Sequence, residues 1–203
     1  MTDQIVSEVT ICNQALNWLG QDRISSLDDN TTAAKLCRAN YQFIRDAVME
    51  TRMWTFATTR AISETTDIDD WGTSYVHSVP LNWLGVYRAY VSAPRSITEG
   101  VVDQSYRKEG RNILSSRAKL YLWGIQKVTD TQAFSPLFTQ ALAARLAADF
   151  AIPLTENRLL QADMWALYEA KLAEAAVRDG QQGGNDYVTQ RTLTNARYYG
   201  NVG

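Results

Sequence analysis

The sequence predicts a mainly α protein with a β insertion: a four-helix bundle, a small antiparallel sheet domain and an extended C-terminal tail. Three observations predict it. Apolar residues recur at spacings of three and four in two blocks near the N-terminus and in two more beyond residue 135. Between them lies a stretch rich in aromatic and β-branched residues, bracketed by Pro80 and Pro94. Beyond Gly180 the chain turns polar and glycine-rich, a composition too poor in apolar residues to fold alone.

Ser7 opens the first helix, on which Val9, Cys12, Leu16 and Leu19 form the stripe and Gly20 takes the left-handed C-cap. Asp28-Asp29-Asn30 supplies turn and N-cap residues before a second helix from about Thr31 to Thr51. Its stripe is Ala33, Cys37, Tyr41, Ile44 and Val48, leaving Lys35, Arg38, Arg45 and Asp46 to face water. Met53 to Thr58 alternates large and small residues and reads as extended, and residues 63–74 read as an exposed acidic loop. Short strands are expected at Tyr75–Val79 and Val86–Val91. A hairpin follows, from Val101–Tyr106 through Gly110 to Ile113-Leu114, and then a strand from Lys119 to Val128 with a bulge at Gly124. That makes four or five strands. Ser135-Pro136 starts the third helix, which Pro153 ends. Thr155 or Asn157 caps the fourth, whose stripe runs from Leu160 to Ala175 and which Gly180 closes. The resulting divisions are a helical bundle domain over 1–52 and 133–180, a β-rich insertion over 53–132, and a flexible tail over 181–203.

At 45% hydrophobic and 21% charged, the chain has the composition of a globular protein. Its formal charge of −2 gives no overall basic signature for gripping phosphates. No apolar run approaches the roughly 20 residues of a membrane span, and Met1-Thr2-Asp3-Gln4 lacks the features of a secretory signal. Synthesis in the cytoplasm with no membrane association is the expectation. Cys12 and Cys37 lie inside helical apolar patterns, where buried free thiols are expected.

No catalytic residue, metal ligand or cofactor site is expected. His77 is the single histidine, too few for a zinc triad, and it reads as a packing or solvent-edge residue. The sequence has no phosphate-cradling loop, no nucleophile elbow and no dinucleotide turn. The acidic run Asp67-Ile68-Asp69-Asp70 lacks the glycine and terminal glutamate of a helix–loop–helix calcium site. Interface chemistry is better represented. Trp71 and Trp83 flank a strand of the insertion, and if exposed they are interface anchors, otherwise core. Tyr187, Leu193, Tyr198 and Tyr199 are apolar anchors along the tail, as a segment that orders on a partner needs.

The wording of the first sixty residues then adds a resemblance. Ile11-Cys12-Asn13-Gln14-Ala15-Leu16-Asn17-Trp18-Leu19-Gly20 is followed by Ile24-Ser25-Ser26-Leu27-Asp28. Ala33-Ala34-Lys35-Leu36-Cys37 leads on to Glu50-Thr51-Arg52-Met53-Trp54-Thr55-Phe56. Together these resemble the opening helix, the second helix and the W-[TS]-F exit of the tail tubular protein A family of short-tailed bacteriophages. The C-terminal helix pair and Gly183-Gly184-Asn185-Asp186-Tyr187 are similar to it in order and character. The resemblance implies a virion tail protein assembled in the host cytoplasm: a homo-oligomeric ring, a dodecamer, joining the portal protein to the tail nozzle protein. Tail fibres are a further expected neighbour. Double-stranded DNA passes through the lumen without specific binding, and the role is mechanical rather than enzymatic. Two alternatives stand beside it. One is a head-completion connector under the portal; the other is a helical nucleic-acid-binding module, which requires Arg38, Arg45, Arg52 and Arg60 to gather on one face. A cell-wall hydrolase finds no supporting motif.

Overall fold

The first helix begins where its cap predicts, in a computed structural model that describes residues 6–95 and 100–182. The Ser7 hydroxyl accepts from the Thr10 amide at 3.1 Å, starting α1 (Glu8–Trp18). At the other end Gly20 has φ +69°, and the Gly20 and Gln21 amides return to Asn17 and Leu16, a Schellman cap. The following loop is latched back onto α1. The Asn13 carboxamide accepts from the Ile24 amide at 2.8 Å and donates to its carbonyl at 2.9 Å.

Thr31 caps α2 (Thr32–Glu50), its hydroxyl accepting from the Ala34 amide. Asp29 serves the turn instead, taking the Ser25 and Ser26 amides. Arg45, expected in water, is only 1% exposed. Its guanidinium donates twice to Asp46 Oδ1, at 2.8 and 2.9 Å, and lies 3.9 Å from Glu8 Oε1. Lys127 holds the other Asp46 oxygen at 2.8 Å. A guanidinium can be buried only with such partners, and sequence periodicity does not reveal them.

Ser135 caps α3 (Pro136–Thr155), whose buried face is largely alanine and lets α1, α2 and α3 pack on one another. By length and composition alone α3 could cross a membrane, contrary to the expectation that no run comes close. Its burial among helices accounts for that composition. Pro153 sits inside α3 rather than ending it. It falls in the last turn, where the missing N–H costs a single ladder bond. Termination comes at Glu156, in the left-handed conformation at φ 54°. The Asn157 side chain accepts from the Leu160 amide and starts α4 (Arg158–Gln182). Gly180 is helical too. A helical glycine costs about 1 kcal/mol relative to alanine, too little to stop a long helix. Arg145 of α3 lies over the Trp165 and Tyr168 rings of α4, at 4.4 and 5.5 Å, while bonded to Asp149.

Among the described residues six strands form two small antiparallel sheets, where four or five strands in one sheet were expected. The first sheet has the order β1 (Thr58–Glu64), β6 (Lys119–Gln126), β3 (Trp83–Tyr90). The second has β2 (Tyr75–Ser78), β5 (Asn112–Ser115), β4 (Arg107–Glu109). In the latter Tyr75 faces Ser115 and Arg107 faces Leu114, with Gly110 at φ 58° in the hairpin turn. Residues 53–57, expected extended, form a turn. The Trp54 carbonyl collects the Ala57 amide, the Thr58 amide and the Thr58 hydroxyl, and the Trp54 indole donates to Val48. Strand β1 therefore begins only at Thr58 and covers the first two residues of the expected 63–74 loop.

Val101 to Tyr106 is likewise not a strand, apart from a single bridge between Val102 and Tyr90. Buried Asp103 accepts from the Ser105 amide at 2.9 Å, the Ser105 hydroxyl at 2.6 Å and the Ser115 hydroxyl, and so diverts the backbone from ladder pairing. Burial pushes the Asp103 carboxyl up, but the Ser105 and Ser115 hydroxyls, the Ser105 amide and the Arg117 charge outweigh it and hold it below the usual carboxylate range. Gly124, where a bulge is expected, is a close-approach glycine. A Cβ there would stand 2.3 Å from the Gly85 carbonyl oxygen and 2.6 Å from the Trp83 ring.

The chain divides into two compact units. One comprises the chain to Thr59, Leu81–Gly85 and Gly124–Arg178; the other comprises Arg60–Pro80, Val86–Trp123 and the end of α4 from Asp179.

Gly124→Ala is expected to destabilise the protein by about 2 kcal/mol, as overpacking against backbone does, read from the urea unfolding midpoint. Because the folded Asp103 carboxyl lies below its unfolded value, its contribution is present above about pH 4 and lost as pH falls further. Asp103→Asn is expected to flatten the acid limb of stability measured by urea unfolding from pH 6 to 2.5.

Candidate interaction surface

The loop between β1 and β2 is built around one carboxylate. Asp69 Oδ1 accepts from the Thr73 amide at 2.7 Å and the Ser74 amide at 3.2 Å, and Oδ2 accepts from the Thr73 hydroxyl at 3.0 Å. Its backbone closes the same turn, with Asp69 N donating to Ser74 O and Gly72 N to Asp69 O. Gly72, at φ +67°, makes that reversal without a side-chain clash. The Thr73 amide first, then the Ser74 amide, the Thr73 hydroxyl and the Arg107 charge, pull the Asp69 carboxyl below its usual range against a smaller desolvation effect.

Trp71 stands at the tip of this loop, 87% exposed. Asp69, Thr73, Arg107, Glu109 and Leu114 line a concavity of about 420 Å³ with it. The sheet beneath is braced by His77, which is buried: its Nδ1 pairs with the Ser63 hydroxyl at 2.9 Å and its Nε2 with the Arg117 carbonyl at 2.8 Å. The carbonyl can only accept, so Nε2 carries a proton toward it. The histidine is a packing residue of the interior, not of the solvent edge.

Trp83 is placed quite differently. It is 6% exposed and sits against Gly124, so it packs within the chain and offers no anchor outward. Tyr187, Leu193, Tyr198 and Tyr199 lie outside the described residues. Cys12 and Cys37 are buried free thiols; bonding with Cys37, reinforced by burial, pushes the Cys12 thiol up. The four arginines considered for nucleic acid each have their own engagement. Arg38 pairs with Asp28 at 3.0 Å, Arg45 with Asp46, and Arg52 and Arg60 lie over the Trp54 and Trp123 rings at 5.2 and 4.2 Å. Among the described residues no group of three or more histidine, cysteine, aspartate or glutamate side chains could hold a metal ion.

No family model matches the chain, and no curated protein matches it. The site is therefore read from its own geometry. A second surface emerged only from the structure: a cavity on the β1–β6–β3 sheet face carrying Arg60, Tyr121 and Trp123. Alternation along Lys119–Gln126 placed Tyr121 and Trp123 on one face, but which strands would flank them could not be read in advance.

Trp71→Ala is expected to leave stability within about 0.5 kcal/mol of the parent in thermal unfolding, as for an exposed residue. Asp69→Ala is expected to speed hydrogen exchange at the Thr73 and Ser74 amides while the buried strands keep their protection.

Proposed function

We propose that this chain is a structural virion protein, the adaptor ring that joins a portal vertex to a tail nozzle in a short-tailed bacteriophage. The observation that carries the reading is Trp71, held in solvent by a loop whose own hydrogen bonds define its shape. A large aromatic residue on a mobile tip would mean little. On a prearranged loop it presents apolar area whose ordering cost is already met, as binding hot spots require.

Further support comes from the order of elements, two helices, a strand-rich segment and two helices, which follows that of the family the N-terminal sixty residues resemble. The extent of the strand-rich segment favours an adaptor over a head-completion connector, for which a smaller insertion is expected. Leu159 and Val177 of α4 are 79% and 65% exposed. In the assembled ring we place α4 as the fourth member of a bundle with α1, α2 and α3, these residues covered by a neighbouring subunit. The strand-rich insertion then meets a second neighbour, and DNA passes through the lumen without specific contact. The role is mechanical, with no bond made or broken and no cofactor.

Mixing the purified chain with portal protein, with nozzle protein and with both is the test, read by electron microscopy and sedimentation. Ring-shaped particles containing the chain and portal are expected. Absence of any association with either partner would overturn the reading.

A further inference from the structure

The cavity on the first sheet and the loop carrying Trp71 are complementary in two respects, shape and charge. In shape, the cavity holds about 280 Å³, just under the size of small-molecule sites and of the scale of one large side chain. Ile62, Tyr90, Pro94, Tyr121 and Trp123 line it, which makes it mostly apolar. Trp71 is a bicyclic apolar side chain with almost all its surface in water.

In charge, Arg60 stands at the cavity with its guanidinium over the Trp123 ring, and exposed Arg95 follows the lining residue Pro94. The loop around Trp71 carries the exposed carboxylates of Asp67 and Asp70, which form no ion pair among the described residues.

Trp71 lines the concavity on the second sheet and not this cavity. The hydrogen-bonded loop cannot supply both surfaces to itself, so the match is met by another molecule. We propose that Trp71 of one copy of this chain inserts into the Tyr90–Tyr121–Trp123 cavity of a second copy, with Asp70 facing Arg60. Because knob and hole are different patches, the contact is head-to-tail and repeats from copy to copy, closing into a ring where the rotation permits. The proposal deepens the adaptor reading by naming the self-interface, and it rests on that reading only for the ring's place in a virion.

The test uses the full chain in three forms: the parent, Trp71→Ala, which lacks the knob, and Tyr121→Arg, which fills the hole with charge. Sedimentation velocity over a concentration series reads self-association, and far-ultraviolet circular dichroism shows that each variant is folded. The parent is expected to self-associate with rising concentration. Each variant alone is expected to associate at least about thirtyfold more weakly, the scale of a hot-spot aromatic. Mixed together, the two variants are expected to form one-to-one pairs and no larger species, since one intact knob and one intact hole remain. As a second measurement that does not depend on Tyr121→Arg folding, the Trp123 indole resonance is expected to shift with concentration in the parent and not in Trp71→Ala. A parent that stays monomeric throughout, or association unchanged in both variants, would overturn the proposal. Portal-dependent rings untouched by either substitution would overturn it while leaving the adaptor role intact. Self-association through these patches by a chain that ignores portal would support the pairing and remove the adaptor role.

Discussion

An aromatic cluster holds together the two places where the chain leaves and rejoins its helices. Trp54 and Phe56 follow α2, and Phe134 and Phe138 precede and open α3. Phe138 meets Trp54 edge-on at 5.0 Å and Phe56 at 4.8 Å, and Phe56 lies 5.4 Å from Phe134. The Gln126 amide donates to Ala57 across the same junction. Everything from Thr58 to Lys127 is thus an insertion whose ends are tied at one point. Closing that long loop costs conformational entropy once, and the cost grows only slowly with its length.

Three buried ionisable groups are committed to structure. Arg45 is matched by Asp46 and Glu8, Asp103 by Ser105 and Ser115, and His77 by Ser63 and the Arg117 backbone. Facing outward are Trp71 on its hydrogen-bonded loop, the apolar cavity of the first sheet, and the exposed carboxylates of Asp67 and Asp70.

The helices were legible because their signals are local. Ser7, Thr31 and Ser135 cap the helices they precede, and Gly20 ends the first, since a cap bonds to amides two or three residues away. Where sequence reading went astray, a distant partner or a mild penalty was responsible. Pro153 and Gly180 are helix breakers by reputation, yet one sits in a last turn and the other late in a long helix. The close approach at Gly124 is likewise made by residues distant in the chain, Gly85 and Trp83. The stretch from Val101 to Tyr106 resembles a strand until Ser115 is found bonding Asp103. As for the interface candidates, Trp71 and Trp83 look alike in sequence, both flanking a short strand, and only burial separates them.

By itself the sequence determined where the four long helices and the strand-rich segment fall along the chain, and the N-caps of the first and third helices, because these follow from periodicity and from bonds within a turn of the chain. Tertiary structure alone decided that Arg45 is buried, that Trp83 is core while Trp71 is bare, and that Arg60, Tyr90, Tyr121 and Trp123 share one cavity. These depend on which strands become neighbours, and strand order is set by packing between residues far apart in the chain.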